Sequence, residues 1–267
     1  MSTLRFADPT DGWAFGPELW ATHDGGLTWT QLAVSGLSND PVVALETAHG
    51  LAYAVLVDGA HDRFRIASTP IGSDTWTLST LSLSIGAGPI PTIQLVLSDA
   101  AGWIIQDDRT VVNGARLVNG VWRTWQPVCS GVVGPAYLAA SSSTDLVAAC
   151  NVGAFSSPQG VHLYASSDGG LTFRESATTV PAQQVDGIAS PDPSKFVIAV
   201  NPVNGANKSE LLGSFNGGAS WMVVAKSSDV SFTDLGFTTT TQGVVITSAG
   251  QLLMTRDAGD SWAAVSF

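Results

Sequence analysis

The sequence has 267 residues, of which 45% are hydrophobic and only 12% are charged. Eleven Lys and Arg side chains against 22 Asp and Glu side chains leave a net charge of −11. An acidic surface repels phosphates and anionic lipids, so we expect neither a nucleic-acid partner nor a membrane-surface partner. No run of 18 apolar residues occurs, so we also expect no membrane insertion.

Short β-prone segments separated by turn residues follow one another along the whole chain, and no amphipathic helix interrupts them. They group into six units of four strands, which predicts a single domain over residues 1–267. The predicted units are 1–35, 36–82, 83–128, 129–178, 179–227 and 228–267. The predicted last strands are 27–32, 76–79, 122–127, 171–175, 220–225 and 261–265.

A recurring pattern, [ST]-x-[DN]-x-G-x-[ST]-[WF], precedes the last strand of four units. Its glycine supplies a positive φ, and its Asp or Asn accepts hydrogen bonds from the turn itself. We therefore interpret these residues as scaffold: an acid used by its own turn is a poor general base. The copies at 22–29, 166–173, 214–221 and 255–262 carry Asp24 and Trp29, Asp168 and Phe173, Asn216 and Trp221, and Asp257 and Trp262.

Two units carry eroded copies of the pattern. The second keeps Trp76 but has Pro70 at the place of the acid, and the third keeps little beyond Thr124 and Trp125. Measured between the aromatic residues, the successive intervals are 47, 49, 48, 48 and 41 residues. This period predicts an all-β fold, a six-bladed β-propeller of four-stranded antiparallel blades.

The repeat resembles the Asp box, or BNR repeat, of sialidases, sortilin-type receptors, xyloglucan-cleaving propellers and photosystem II assembly factors. The four good copies and two eroded ones cover essentially the whole chain. The resemblance implies a functional site on the face opposite the Asp-box turns. We expect connections between second and third strands to reach that face, including the long loops 151–160 and 201–208.

Polar residues cluster in two of these loops, in the second and third units. They are candidates for ligand binding, or for the carboxylate pair of a glycoside hydrolase. The alternative is that they are solvated turn residues. The candidates are Asp58, His61, Asp62, Asp107, Asp108 and Arg109.

A sialidase requires a cluster of arginines around the substrate carboxylate. Arg5 lies on the first strand, where the resemblance places one such arginine. Arg174 and Arg256 adjoin Asp-box turns. We therefore expect them on the Asp-box face, away from the expected site. A sialidase is thus not favoured, and no catalytic residue is assigned.

The two cysteines, Cys129 and Cys150, flank neighbouring strand ends of the fourth unit. This position predicts a disulfide if their Cα atoms lie within about 7 Å, with two buried thiols as the alternative. A disulfide would indicate an oxidising compartment. The cysteines and the four widely spaced histidines form no zinc signature, so we expect no metal and no cofactor.

These observations predict a non-catalytic binding or scaffold module that recognises a glycan or protein ligand. We expect a monomer in an extracellular or periplasmic setting, with no signal peptide in this sequence. The alternative function is a glycoside hydrolase, sialidase-like or of the two-carboxylate type, with its site on the same face.

Overall fold

The structure is a computed structural model that describes residues 3–34, 40–85, 90–108, 110–154, 157–201, 209–227 and 230–266. Every helix or strand in these ranges is a β-strand, and the architecture is a six-bladed β-propeller. The predicted fold class is therefore confirmed. Within the same ranges, no helix has the length and hydropathy needed to span a membrane.

Each blade is an antiparallel meander whose four strands follow the chain in order. The first blade contains β1 (Thr3–Phe6), β2 (Gly12–Phe15), β3 (Leu19–Thr22) and β4 (Thr30–Leu32); the second contains β5 (Val42–Ala48), β6 (Leu51–Asp58), β7 (Arg63–Pro70) and β8 (Thr77–Ser84); the third contains β9 (Thr92–Ser98), β10 (Ala101–Asp107), β11 (Val111–Val118) and β12 (Val121–Thr124). The fourth contains β13 (Ala136–Ala140), β14 (Leu146–Ala154), β15 (Ser157–Ser166) and β16 (Arg174–Glu175); the fifth contains β17 (Gly187–Asp192), β18 (Lys195–Val200), β19 (Ser209–Ser214) and β20 (Met222–Ser227); the sixth contains β21 (Phe232–Phe237), β22 (Gly243–Thr247), β23 (Leu252–Thr255) and β24 (Ala263–Val265).

The chain divides into two compact units, one of Met1–Asp108 with Val112–Gln126 and one of Arg109–Val111 with Pro127–Phe267. Within each unit, apolar side chains of successive blades pack against one another. Complete burial of a Leu or Ile side chain contributes about 1.5–3 kcal/mol, so these contacts hold neighbouring blades together. The clusters include Leu45 and Leu56 between the first two blades, Ile66 and Ile104 between the next two, Leu163 and Ile198 between the fourth and fifth, and Leu211 and Val245 between the last two.

The segments 22–29, 166–173, 214–221 and 255–262 form what we call the corner turns. In each, the first hydroxyl accepts a hydrogen bond from the glycine N–H four residues later, at 2.9 Å. The Asp or Asn accepts from the backbone N–H of the following Ser or Thr at 2.9–3.0 Å. Hydrogen bonds from Thr28, Thr172 and Ser261 lower the pKa of Asp24, Asp168 and Asp257, respectively, to about 2.

The strand after each of these corner turns begins later than predicted. The observed first residues are Thr30, Arg174, Met222 and Ala263, whereas the prediction began at residues 27, 171, 220 and 261. Backbone N–H groups before the aromatic residue are already bonded within the corner turn. They are therefore unavailable to the strand ladder.

In the third blade a tight hairpin replaces the corner turn. Asn119 and Gly120 have φ values of 52° and 75°, as a two-residue hairpin turn requires. The aromatic therefore comes earlier: Trp122 is buried and meets Tyr53 edge-on, with ring centroids 5.8 Å apart. The use of Trp125 as the repeat marker was wrong by three residues.

A disulfide joins Cys129 and Cys150, whose Cα atoms are 5.5 Å apart. Cys150 lies on β14 directly opposite Ala136 of β13. Cys129 lies just before β13, so the bond ties the segment leading into the fourth blade to its second strand. Both side chains are almost completely buried.

His23, in the first corner turn, links the first two blades. Its Nδ1 lies 2.5 Å from Asp11 Oδ1, and its Nε2 lies 3.3 Å from Asp74 Oδ1, in the corresponding connection of the second blade. Only a doubly protonated imidazole can donate to both carboxylates. The hydrogen bond with Asp11 is the main reason why the pKa of His23 is raised above 6.5.

We expect Thr255→Val to lower the free energy of unfolding by about 1–3 kcal/mol, because it leaves the buried Gly259 N–H without its acceptor. Chemical denaturation measures the change. Thr240→Val, an exposed change in the same blade, is the matched control and should cost much less. Equal losses in the two variants would show that the corner hydroxyl has no special role.

We expect NMR titration of the His23 ring to give a pKa above 6.5. Because the pKa is raised on folding, the stabilisation is complete below pH 6.5 and is lost as the pH rises through the folded-state pKa. Asp11→Asn should move the His23 pKa back towards 6.5 and reduce this pH dependence. Asp99→Asn, with the same change in charge on an exposed hairpin, should do neither, and a similar response to both would rule out the local contact.

Candidate functional site

Each blade has two ends with different connections. One end carries the first hairpin and, in four blades, the corner turn. The other end, which we call the crossing end, carries the connection between second and third strands and the crossing to the next blade. The five predicted ligand-binding residues that the structure describes belong to connections at crossing ends or to strand termini beside them.

Asp58, the last residue of β6, lies at the centre of a charged cluster. Its carboxyl group is 4% exposed; Oδ1 lies 2.7 Å from His61 Nδ1, and Oδ2 lies 2.8 Å from Arg63 Nε. Arg65 adds a longer contact of 3.9 Å from its guanidinium to Oδ2. The hydrogen bond with His61, followed by that with Arg63, lowers the pKa of Asp58. Since both oxygens are held by cationic groups or imidazole, Asp58 is a poor proton acceptor.

The local fold explains this arrangement. Asp58 and Arg63 are directly opposite each other on β6 and β7. The backbone N–H of His61 donates to the Asp58 carbonyl at 3.2 Å, and Asp62 takes a positive φ of 48° to complete the turn. The His61 side chain remains 63% exposed at the turn surface. It is the member of the cluster that a ligand can reach most easily.

The other predicted candidates lie one blade further along. Asp107 ends β10 and is 9% exposed, and its backbone carbonyl accepts a hydrogen bond from Thr92 at 3.1 Å. Asp108 follows it and is exposed. Arg109 lies outside the described residues. From the predicted set, the structure therefore brings Asp58 and His61 into direct contact.

A groove of about 590 Å³ lies between the first two blades at their crossing ends. We call it the first groove. Apolar side chains form most of its lining, and its charged members are Glu18 and Asp40. Among the residues that the structure describes, its lining is Pro17, Glu18, Leu19, Gln31, Leu32, Ala33, Val34, Asp40, Pro41, Val42 and Leu56.

Asp40 was not predicted. Partial burial raises its pKa, the negative charge of Asp58 adds to the effect, and His61 opposes it. Asp58 and His61 therefore act electrostatically on a residue of the first groove. The sequence could have indicated Asp40 through the dipeptide Asp40-Pro41, which directly precedes β5. A crossing between blades reaches the same end of the blade as the β6–β7 turn, so an acid there is a candidate for the same site.

Two predicted ligand-binding loops begin with residues that the scaffold uses. The side chain of Asn151 accepts from the Val185 N–H at 2.9 Å and donates to its carbonyl at 2.8 Å. Asn201 makes the same pair of bonds with Phe232, at 2.9 and 3.0 Å. Each amide thus joins the second strand of one blade to the start of the next blade.

Arg5 is engaged in an ion pair between the first two blades. Its Nε lies 2.7 Å from Glu46 Oε1, and both side chains are 31% exposed. This contact joins β1 to β5. An arginine neutralised in this way is less suited to bind a substrate carboxylate.

No family model and no curated protein matches this sequence. Solved structures do match. They include YCF48 bound to D1 peptide, with 18% identity, a TM-score of 0.62 and coverage of 98% of this chain and 79% of that one. YCF48 from Cyanidioschyzon merolae has 12% identity and a TM-score of 0.60 (98% and 83% covered), and the six-bladed Aleuria aurantia lectin has 10% identity and 0.59 (96% and 89%). At these identities the likeness shows the β-propeller fold.

Proposed function

We propose that this chain is a non-catalytic binding or scaffold module that recognises a glycan or protein ligand at the crossing ends of its blades. The first groove is the observation that carries this proposal. Its volume of about 590 Å³ falls within the range of about 300–1,000 Å³ usual for ligand sites. Its lining combines an apolar surface with a few polar groups, which is the usual composition of such sites.

The same proposal includes the type of repeat, the location of the protein and its oligomeric state. The hydrogen bonds of the corner turns support their assignment as Asp-box repeats, because the acid, the glycine and the hydroxyls each have the role that such a turn requires. The Cys129–Cys150 bond supports an extracellular or periplasmic location, where disulfides persist. We further propose that the chain acts as a monomer.

The structural neighbours are consistent with either kind of ligand. One is described as bound to the D1 peptide, and the fungal lectin is described with fucose recognition. Propellers with this fold therefore include both peptide-binding and glycan-binding proteins. The shared fold does not choose between them, and the choice depends on the residues of this chain.

A glycoside hydrolase is the second candidate. The pKa of Asp40 is raised while that of Asp58 is lowered, and such enzymes need an acid and a base with separated pKa values. The engagement of both Asp58 oxygens argues against it. We expect no turnover across a panel of chromogenic glycosides. Turnover that Asp40→Asn or Asp58→Asn abolishes would replace the binding-only proposal.

Filling the first groove should weaken binding. We expect Ala33→Trp, an exposed groove position, to weaken ligands selected with the wild-type protein from a glycan array and a random peptide library by at least about tenfold. Leu171→Trp is the matched control, because Leu171 is 70% exposed in a corner turn, and should have no effect. A loss of binding with Leu171→Trp alone would place the ligand at the corner turns, and the absence of any ligand would contradict the proposal.

A further inference from the structure

The first groove carries negative charge. Of the residues that line it, the charged ones are Glu18 and Asp40, both acidic. Neither carboxylate has a hydrogen-bond or ion-pair partner within the part of the chain that the structure describes. A ligand that enters the groove therefore meets two carboxylates whose negative charge no side chain of the groove offsets.

Asp40 is the more constrained of the two. It is half-buried, and its charge is disfavoured there by desolvation and by the neighbouring Asp58. Arg63 and His61 hold Asp58 in its ionised form, so its negative charge persists beside Asp40. A cation brought next to Asp40 would favour its ionised form and offset the cost of desolvation.

The surface beneath these carboxylates is aliphatic. Leu19, Val34, Val42 and Leu56 are each at most 4% exposed, whereas Glu18 is exposed and Asp40 is half-buried. Lysine and arginine side chains suit such a surface, because their methylene stems pack on apolar groups while the charged head stays at the rim. No aromatic side chain belongs to the described lining, although sugar rings commonly stack on Trp or Tyr.

The dimensions favour a segment of chain over an isolated amine. A volume of about 590 Å³ exceeds what one Lys or Arg side chain fills. The net charge of −11 also attracts basic ligands from a distance. The same charge disfavours acidic partners.

We propose that the first groove binds an extended basic peptide segment, with a Lys or Arg side chain placed on the aliphatic floor and paired with Asp40 and Glu18. This inference rests on the proposed function, since it names the partner class for that site. It makes Asp40 a determinant of ligand charge. Asp58, His61 and Arg63 then have a supporting role, because their network fixes the charge beside it.

The test uses the peptides that the wild-type protein selects from a random peptide library, which we expect to be basic, and their Kd values are measured by fluorescence polarisation. We expect Asp40→Asn to weaken binding at least about tenfold, and replacement of the critical Arg in the peptide by uncharged citrulline to do the same. Asp260→Asn is the matched control: it makes the same change in net charge at an exposed corner residue and should leave Kd within about twofold.

A separate measurement keeps misfolding from being mistaken for loss of binding. Asp40→Asn should not lower the unfolding temperature, because it removes a charge that the folded protein disfavours. Equal weakening by Asp40→Asn and Asp260→Asn would overturn the inference in favour of general charge attraction. Selected ligands that lack Lys and Arg, or glycans, would overturn it while leaving the proposed function intact if Ala33→Trp blocks them. Ligands insensitive to Ala33→Trp would contradict both.

Discussion

The contact between a buried hydroxyl, a glycine N–H and a carboxylate or amide determines how four of the six blades are built. It allows the chain to reverse direction before the last strand without leaving the glycine N–H unpaired in a buried place. The backbone of the turn is thus satisfied before any strand pairs with it. The aromatic residue that follows can then pack against its own blade, as Trp262 does against Phe237.

At the crossing ends, hydrogen bonds from one blade to the next, rather than bonds within one turn, hold the connections. In the compact unit that contains residues 127–267, the side chains of Asn151 and Asn201 each bond to the backbone of the following blade. Between the first two blades a backbone contact has this role, since the Pro17 carbonyl accepts from the Val42 N–H at 2.8 Å. No long amide side chain is needed there, and the first groove lies alongside this contact. The proposed binding surface therefore lies beside a connection that is made by backbone atoms.

The corner turns were predictable because their chemistry is local. A hydroxyl, an acid and a glycine within eight residues satisfy one another, whatever the rest of the chain does. Trp122 was not used as the repeat marker of its blade, because its turn is shorter and lacks the acid of the pattern. Asp40 was missed for a different reason: its properties come from Asp58 and from burial between two blades, and neither is visible from its sequence neighbours. Strand register likewise decides that Arg63 faces Asp58.

Asn216 shows what the corner turn requires. Its amide oxygen accepts from the Ser220 N–H at 2.9 Å, as the aspartates do, while its Nδ2 donates to the Ser220 hydroxyl at 2.8 Å and reverses the direction of that one bond. An uncharged side chain thus reproduces the geometry. Blades of this kind can exchange acid for amide without reshaping the loop, which leaves the number of ionised groups at these corners free to vary with the acidity of the surroundings.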